Sequence, residues 1–178
     1  MVNKKNKAIF LDRDGVIVRS LVVKKKGYAP RNINDFKILP YVSIYSKKLK
    51  KKNFKLIVVT NQPDVSKGLI KKSTLHKMHK ILKDKCDYDD IYVSTSASKK
   101  SFFRKPNPGM LIAAIKKHNL NIKKCYLIGD RESDILAAKK IGCKSIFINR
   151  NYAEKKPTDQ IKTVKSFVEA SKYIIRSI

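Results

Sequence analysis

The stretch Ala8-Ile9-Phe10-Leu11-Asp12-Arg13-Asp14-Gly15 sets four apolar residues directly before two carboxylates spaced i, i+2. A short unbroken apolar run, with no alternation, reads as a strand buried on both faces. Working outward, the same pattern recurs. Leu56-Ile57-Val58-Val59 ends at Thr60, Ile91-Tyr92-Val93 stands alone, Cys125 to Ile128 ends at Gly129-Asp130, and Ser145 to Ile148 closes the series. Between these runs lie helical patterns over Tyr41 to Lys52, Ser73 to Lys85, Pro108 to His118 and Ser133 to Ile141. The tail, Asp159 to Ile175, reads as a terminal helix, Gly15 to Pro40 as an irregular stretch with a β-prone piece at Val16-Ile17-Val18, and Ser94 to Asn107 as a polar loop. Strands alternating with helices predict an α/β fold: a parallel sheet of about five strands with helices on both faces. Ligands of such sheets bind beyond the carboxyl ends of the strands, which directs attention to Asp12, Thr60 and Asp130. No GxGxxG or Walker A loop follows the first strand, which disfavours dinucleotide and P-loop chemistry.

Composition narrows the class. The chain has 178 residues with 42 Lys+Arg against 14 Asp+Glu, a net charge of +28, and 42% hydrophobic residues. That is enough apolar material for a core, and the length fits one domain spanning 1–178. No apolar run approaches the ~20 residues of a bilayer span, and the basic start, Met1 to Lys7, runs too quickly into Asp12 for a signal peptide. Cys86, Cys125 and Cys143 have no paired spacing, so neither a disulfide scaffold nor a CxxC zinc module is expected. These features predict a soluble, cytoplasmic protein, with a monomer as the default from its size.

The charge raises the question of a nucleic-acid partner. Its distribution answers against one. Thirty-five of the 42 basic residues are lysines, strewn along the whole chain, and only seven are arginines. Tryptophan is absent, and the aromatics do not interleave with the lysines as a base-stacking platform requires. The lysines read as a solvated coat and a compositional bias. His76 and His79, three apart on a predicted helix, read likewise as a solvated face, since no Cys or carboxylate is placed to complete a zinc site.

Two carboxylates leaving a buried strand are costly unless a cation or proton relieves their repulsion. Magnesium, a hard cation that takes oxygen ligands, is one solution. Asp130 and Asp134 supply a further acidic pair at another strand end. The alternative, turn hydrogen bonds from Asp12 and Asp14 and a helix cap from Asp130, explains each residue but not the whole ordered set.

The motifs resemble those of the haloacid dehalogenase (HAD) phosphatases. Phe10 to Ile17 is similar to their motif I and Val58-Val59-Thr60-Asn61-Gln62 to motif II. Arg104-Lys105-Pro106-Asn107-Pro108-Gly109-Met110 is similar to motif III, and Leu127 to Asp134 to motif IV. The likeness covers about residues 8–150, and its details point to the branch holding the D-glycero-D-manno-heptose-1,7-bisphosphate 7-phosphatases and histidinol-phosphate phosphatases. It implies a Rossmann-like fold without a large cap domain and a Mg²⁺-dependent phosphomonoesterase acting on a small phosphorylated sugar, with heptose bisphosphate as first expectation. Asp12 would be the nucleophile and Asp14 the general acid/base. Asp12, the Asp14 backbone carbonyl and Asp130 would hold Mg²⁺, with Asp134 supporting them. Thr60 and the Asn61 N–H would bind phosphoryl oxygens, Gln62 would lie with them in the substrate site, and Lys105 would neutralise charge in the transition state. Arg104 would meet a sugar hydroxyl or second phosphate, and the product would feed lipopolysaccharide heptose synthesis. Histidinol phosphate or another sugar phosphate is the alternative substrate. A polynucleotide 3′-phosphatase uses the same motifs, but Gly15-Val16 after Asp14 does not match its usual motif I. Heptose enzymes carry Cys and His zinc ligands just before motif III. Here Ser94 to Phe103 contains neither, so no zinc is expected. The Gly15–Pro40 stretch is expected to form a flap over Asp14.

Overall fold

A computed structural model describes residues 5–178; the first four, part of the basic start noted above, lie outside the described residues. The described residues build one six-stranded sheet and a separate two-stranded hairpin. The elements run β1 (Lys7–Leu11), β2 (Leu21–Val23), β3 (Lys26–Tyr28), α1 (Val42–Lys51), β4 (Phe54–Asn61), α2 (Lys72–Cys86) and β5 (Asp90–Ser94). Then follow α3 (Gly109–His118), β6 (Tyr126–Gly129), α4 (Glu132–Lys140), β7 (Lys144–Ile148), β8 (Lys162–Val164) and α5 (Phe167–Arg176).

The main sheet has the order β5-β4-β1-β6-β7-β8 with every pairing parallel. The chain therefore moves outward from β1 through β4 to β5 and returns to β6 on the other side of β1. That reversal between β1 and β6 is the crevice-forming switch point of an open parallel sheet. It brings Asp12 and Asp130, each following its strand, to the same edge. Register fixes this: Leu11 pairs with Ile128 and with Val58.

Alternate residues of β1 enter the two faces. Ile9 and Leu11 pack with Leu56, Val58, Met78, Leu82 and Phe167, while Ala8 and Phe10 pack with Ile57, Val59, Leu111 and Leu127 on the other face. All four β1 residues named are wholly buried, as expected of a central strand covered by helices on both sides. Each fully buried Leu or Ile contributes roughly 1.5–3 kcal/mol, so this strand anchors its carboxylates firmly.

Three expectations change. To the parallel sheet of about five strands the structure adds a sixth at its edge, because the tail does not start as a helix: Lys162–Val164 forms an edge strand and α5 begins only at Phe167, where Ser166 Oγ accepts from Glu169 N–H at 3.2 Å. A three-residue edge strand lacks an apolar run long enough to read. Val16 to Val18 is wholly buried but joins only isolated bridges, with Asp14 and Ile38. The hairpin lies further on, at β2 and β3, turning through Lys24 and Lys25, both left-handed (φ 48° and 57°). Such turns favour Asn-Gly, so a Lys-Lys turn carried no signal. No helix among the described residues is long and apolar enough to cross a membrane.

Candidate active site

Each strand-end residue is aimed by its strand. Asp12, Asp130 and Asp134 are buried and bring carboxylate oxygens within 4.8 Å of one another. Asp130 follows β6, and Asp134 enters from the first turn of α4, where its Oδ2 accepts from Arg131 N–H at 3.1 Å. Gly15 is required here. Its φ is +84°, and a Cβ would overlap Asp130 Oδ2, a conformation and an approach open to glycine alone.

Lys105, also buried, reaches into this group from the loop before α3. Its Nζ lies 2.6 Å from Asp12 Oδ1, 2.6 Å from Asp134 Oδ1, and donates to Val59 O at 2.7 Å. Burial alone would lower the ammonium's proton affinity; Asp12 and then Asp134 outweigh it and hold the group above its ordinary value. Asp130 is pushed well above the carboxylate range by burial, reinforced by Asp12 and Asp134, and Asp134 moves upward mainly by burial too.

Were all three ionised, three carboxylates against the one ammonium paired with them among the described residues would leave two negative charges in a buried place, the repulsion that favours a proton on Asp130 unless a cation stands there. Both Asp130 oxygens lack a hydrogen-bond partner among the described residues, and buried polar oxygens are seldom left so. An all-oxygen group short of two positive charges fits a hard divalent cation such as Mg²⁺.

Asp14 faces elsewhere. Gln62 Nε2 donates to its Oδ2 at 2.7 Å and to Thr60 Oγ1 at 2.8 Å. Arg13 Nε lies 3.1 Å from both Asp14 oxygens. Burial raises the Asp14 pKa; Arg13 opposes this, and Asp12 adds to it. A carboxyl inclined to keep a proton thus stands two residues from one held beside an ammonium. Divergent environments for neighbouring carboxyls are the usual way to assign acid and nucleophile roles.

The remaining candidates divide by what their side chains touch. Gln62 is buried and spent on Thr60 and Asp14. The Asn61 amide holds the Lys105 backbone. Arg104 Nη1 donates to Ser96 O at 2.7 Å, while the residue lines the open cavity of about 610 Å³ above Asp12 and Asp14. Tyr28 and Arg31, from the hairpin and the segment after it, line the same cavity, so the Gly15–Pro40 stretch does flank the site.

Two groups escaped the sequence reading. His79 does not lie on a solvated face: its Nε2 meets Arg13 Nη1 at 3.2 Å. The signal was its spacing, since residues i and i+4 share a helix face and Leu75 is buried. The segment after β7 also contributes. Arg150 Nε donates to Gly15 O at 2.6 Å, and Tyr152 packs against Gly27 and Gly15. Tyr152 lines a small cavity with Asp130, and burial followed by the Asp130 charge pushes its phenol up to about 12. Arg131 donates to Gly27 O and pairs with Glu154, tying the hairpin to this segment. Nothing in the local sequence marks the pairing.

Residues 102–176 match the HAD-hydrolase-like family model. The chain is 29% identical to the D-glycero-alpha-D-manno-heptose-1,7-bisphosphate 7-phosphatase of Photorhabdus laumondii, over 98% of this chain and all of the relative. It is 31% identical to the D-glycero-beta-D-manno-heptose-1,7-bisphosphate 7-phosphatase of Helicobacter pylori strain 26695, over 74% of this chain and 77% of that one. Its fold superposes with a TM-score of 0.83, at 18% identity and over 97% and 99% of the two chains, on the D,D-heptose 1,7-bisphosphate phosphatase of B. bronchiseptica, a structure with magnesium and phosphate bound. With acidic residues at two strand ends and a lysine between them in the order the HAD motifs require, the chain belongs to the HAD-like hydrolases and is a phosphatase of the branch that includes the heptose-1,7-bisphosphate 7-phosphatases.

Proposed function

We propose that this phosphatase removes the 7-phosphate of D-glycero-D-manno-heptose 1,7-bisphosphate through an aspartyl-phosphate. The observation that carries the reading is the contrast between Asp12, paired with Lys105 at 2.6 Å, and Asp14, half-buried beside Gln62 and inclined to keep its proton. The names of the sequence relatives support the substrate.

Asp12 Oδ attacks phosphorus as the bond between phosphorus and the C7 oxygen breaks. Asp14 passes its proton to that oxygen, which leaves as the sugar hydroxyl. Asp14, now a carboxylate, takes a proton from water. The water oxygen attacks phosphorus, the acyl-phosphate bond breaks, and inorganic phosphate and free Asp12 result. Lys105 faces the charge that gathers on the phosphoryl oxygens. Thr60 and the Asn61 N–H lie at the strand end where those oxygens arrive, and Gln62 keeps Asp14 in reach. Asp12, Asp130 and Asp134, with the Asp14 carbonyl, are the residues to hold Mg²⁺. When bound, the ion offsets repulsion between the anionic nucleophile and the phosphate. Arg104 and Arg31, on the cavity wall, suit the second phosphate. The reaction needs no zinc in this chain, and a cytoplasmic setting suits its reduced cysteines.

The test is phosphate release from purified protein with Mg²⁺, offered heptose 1,7-bisphosphate, histidinol phosphate, other sugar phosphates and 3′-phosphorylated DNA. Release from the DNA alone overturns the substrate class; release from histidinol phosphate alone selects the other substrate of the branch. Asp12→Asn should abolish turnover while the protein still melts cooperatively, and activity retained in that variant refutes the covalent route.

A further inference from the structure

Behind Asp14 lies a layer that the roles above do not use. Arg13 is completely buried. Its Nε lies 3.1 Å from both Asp14 oxygens and its Nη2 3.0 Å from Oδ2, so the guanidinium meets the carboxyl along one edge. One face of the guanidinium lies over the Phe36 ring, 5.5 Å from its centroid. Nη2 makes that close ion pair but no hydrogen bond among the described residues, and the remaining nitrogen, Nη1, meets His79 Nε2 at 3.2 Å. Arginine has donors only, so His79 Nε2 accepts and the imidazole carries its proton on Nδ1. Burial, with Arg13, His76 and Lys83 adding to it, lowers His79 to about 3, which keeps that ring neutral at physiological pH.

We propose that His79 is a positioning residue of the reaction: by accepting from Arg13 Nη1 it locks the guanidinium against Asp14 and so aims that carboxyl at the leaving oxygen. The inference rests on the reading of Asp14 as proton donor. A guanidinium is planar and rigid. Bonded at Nε and Nη1 and covered on one face, it has no rotation left. Gln62 fixes only Oδ2, from another side, and a single bond leaves a carboxyl free to turn about it. Without an acceptor at 79, a buried N–H of Nη1 goes unmatched and the guanidinium re-aims, taking Asp14 with it. The neutrality of the imidazole matters as much as its lone pair. A carboxylate at this position would compete with Asp14 for Arg13, and an ammonium would repel it.

The experiment is steady-state kinetics, with Mg²⁺, of His79→Gln, His79→Asn and His79→Leu on the sugar bisphosphate and on p-nitrophenyl phosphate. The glutamine amide oxygen can stand where Nε2 stands; the asparagine amide is too short to reach it, and leucine offers no acceptor. On the sugar substrate, the Leu and Asn variants should lose about 10- to 100-fold in kcat, as expected for a misaimed group, with KM held within about twofold. The Gln variant should stay within about threefold of the parent. The nitrophenolate leaves without needing a proton, and kcat/KM reports only the steps through phosphoryl transfer. On that substrate kcat/KM should therefore change less than about threefold in every variant. Equal losses on both substrates, a parent-like kcat in the Leu and Asn variants, or a Gln variant as poor as Leu overturns the proposal. Should the Leu variant fail to melt cooperatively, the Asn and Gln pair supplies the same contrast. Asp14→Asn, measured alongside, separates the two failures. If it keeps turnover on the sugar, the proton-donor reading falls. If it is inactive while the His79 variants are unimpaired, only the role of His79 falls.

Discussion

Asn61 and Lys105 exchange two hydrogen bonds: Asn61 Nδ2 donates to Lys105 O at 3.0 Å, and Lys105 N–H donates to Asn61 Oδ1 at 3.1 Å. The pair ties the end of β4 to the loop before α3, across 44 residues of chain. Its effect is to fix the backbone from which the Lys105 side chain reaches Asp12. Asn61→Ala should therefore lower kcat about tenfold through a displaced ammonium, at a stability cost of about 1 kcal/mol. Steady-state kinetics and urea unfolding measure the two effects. An unchanged kcat would show that Lys105 is held by Asp12, Asp134 and Val59 alone.

Lys105 and the divalent cation share one charge balance. Among the described residues, Lys105→Met removes the only ammonium found against Asp12 and Asp134. Turnover should fall by about 10²–10³. The carboxylates should then depend more on Mg²⁺, so the rise in melting temperature from apo to Mg²⁺-loaded protein should be larger in the variant than in the parent. Differential scanning fluorimetry across a Mg²⁺ titration reads this. No Mg²⁺-dependent shift in the parent protein would remove the cation from Asp12, Asp130 and Asp134.

What the sequence made legible follows from how local each signal is. The run Ala8 to Leu11 before Asp12 declared both the central strand and the site, because an unbroken apolar strand and the residue after it are adjacent in the chain. The same holds for Val59 before Thr60 and for Gly129-Asp130. Pairings that depend on tertiary contact were not legible. The pairing of His79 with Arg13 joins residues 66 apart, and its only local trace is the spacing from Leu75. The docking of Arg131 on Gly27 and of Tyr152 beside the hairpin needs the hairpin itself, whose Lys-Lys turn lacks the usual chemistry. Edge strand β8 was hidden for the opposite reason to β1: three residues, with only Val164 buried.

The loop that carries the start of motif III is closed by side chains. Asn107 Nδ2 donates to Lys99 O at 3.1 Å and to Ser101 O at 3.0 Å, Asn107 Oδ1 accepts from Lys140 Nζ at 3.1 Å, and Arg104 donates to Ser96 O. Because Arg104 and Lys105 both leave this loop, its shape sets where the substrate's far end and the Asp12 ammonium partner lie. Asn107→Ala should raise KM severalfold and lower stability by about 1–2 kcal/mol, two backbone carbonyls losing their donor. A chelator that takes zinc but spares Mg²⁺ should leave the parent protein's activity and melting temperature unchanged. Inactivation by that chelator would overturn the expectation that this chain carries no zinc.

His79 also links the site to acid stability. In the unfolded chain its imidazole takes up a proton near 6.5, whereas in the folded protein burial first, and then Arg13, His76 and Lys83, lower that value to about 3. Between those two pH values the unfolded chain holds a proton that the folded protein does not. Acid therefore favours unfolding, and stability should fall toward low pH with a slope of up to about 1.4 kcal/mol per pH unit from this group. His79→Gln keeps an acceptor for Arg13 but has nothing to protonate. Other groups titrate in the same range, carboxylates above all, so the informative quantity is the difference between the two proteins. Urea unfolding at pH 8, 7, 6, 5 and 4 should show parent and variant nearly parallel above pH 7 and diverging below pH 6.5, the parent losing stability faster. Parallel curves down to pH 4 would mean that His79 titrates normally in the folded protein, and that its contact with Arg13 does not persist in solution.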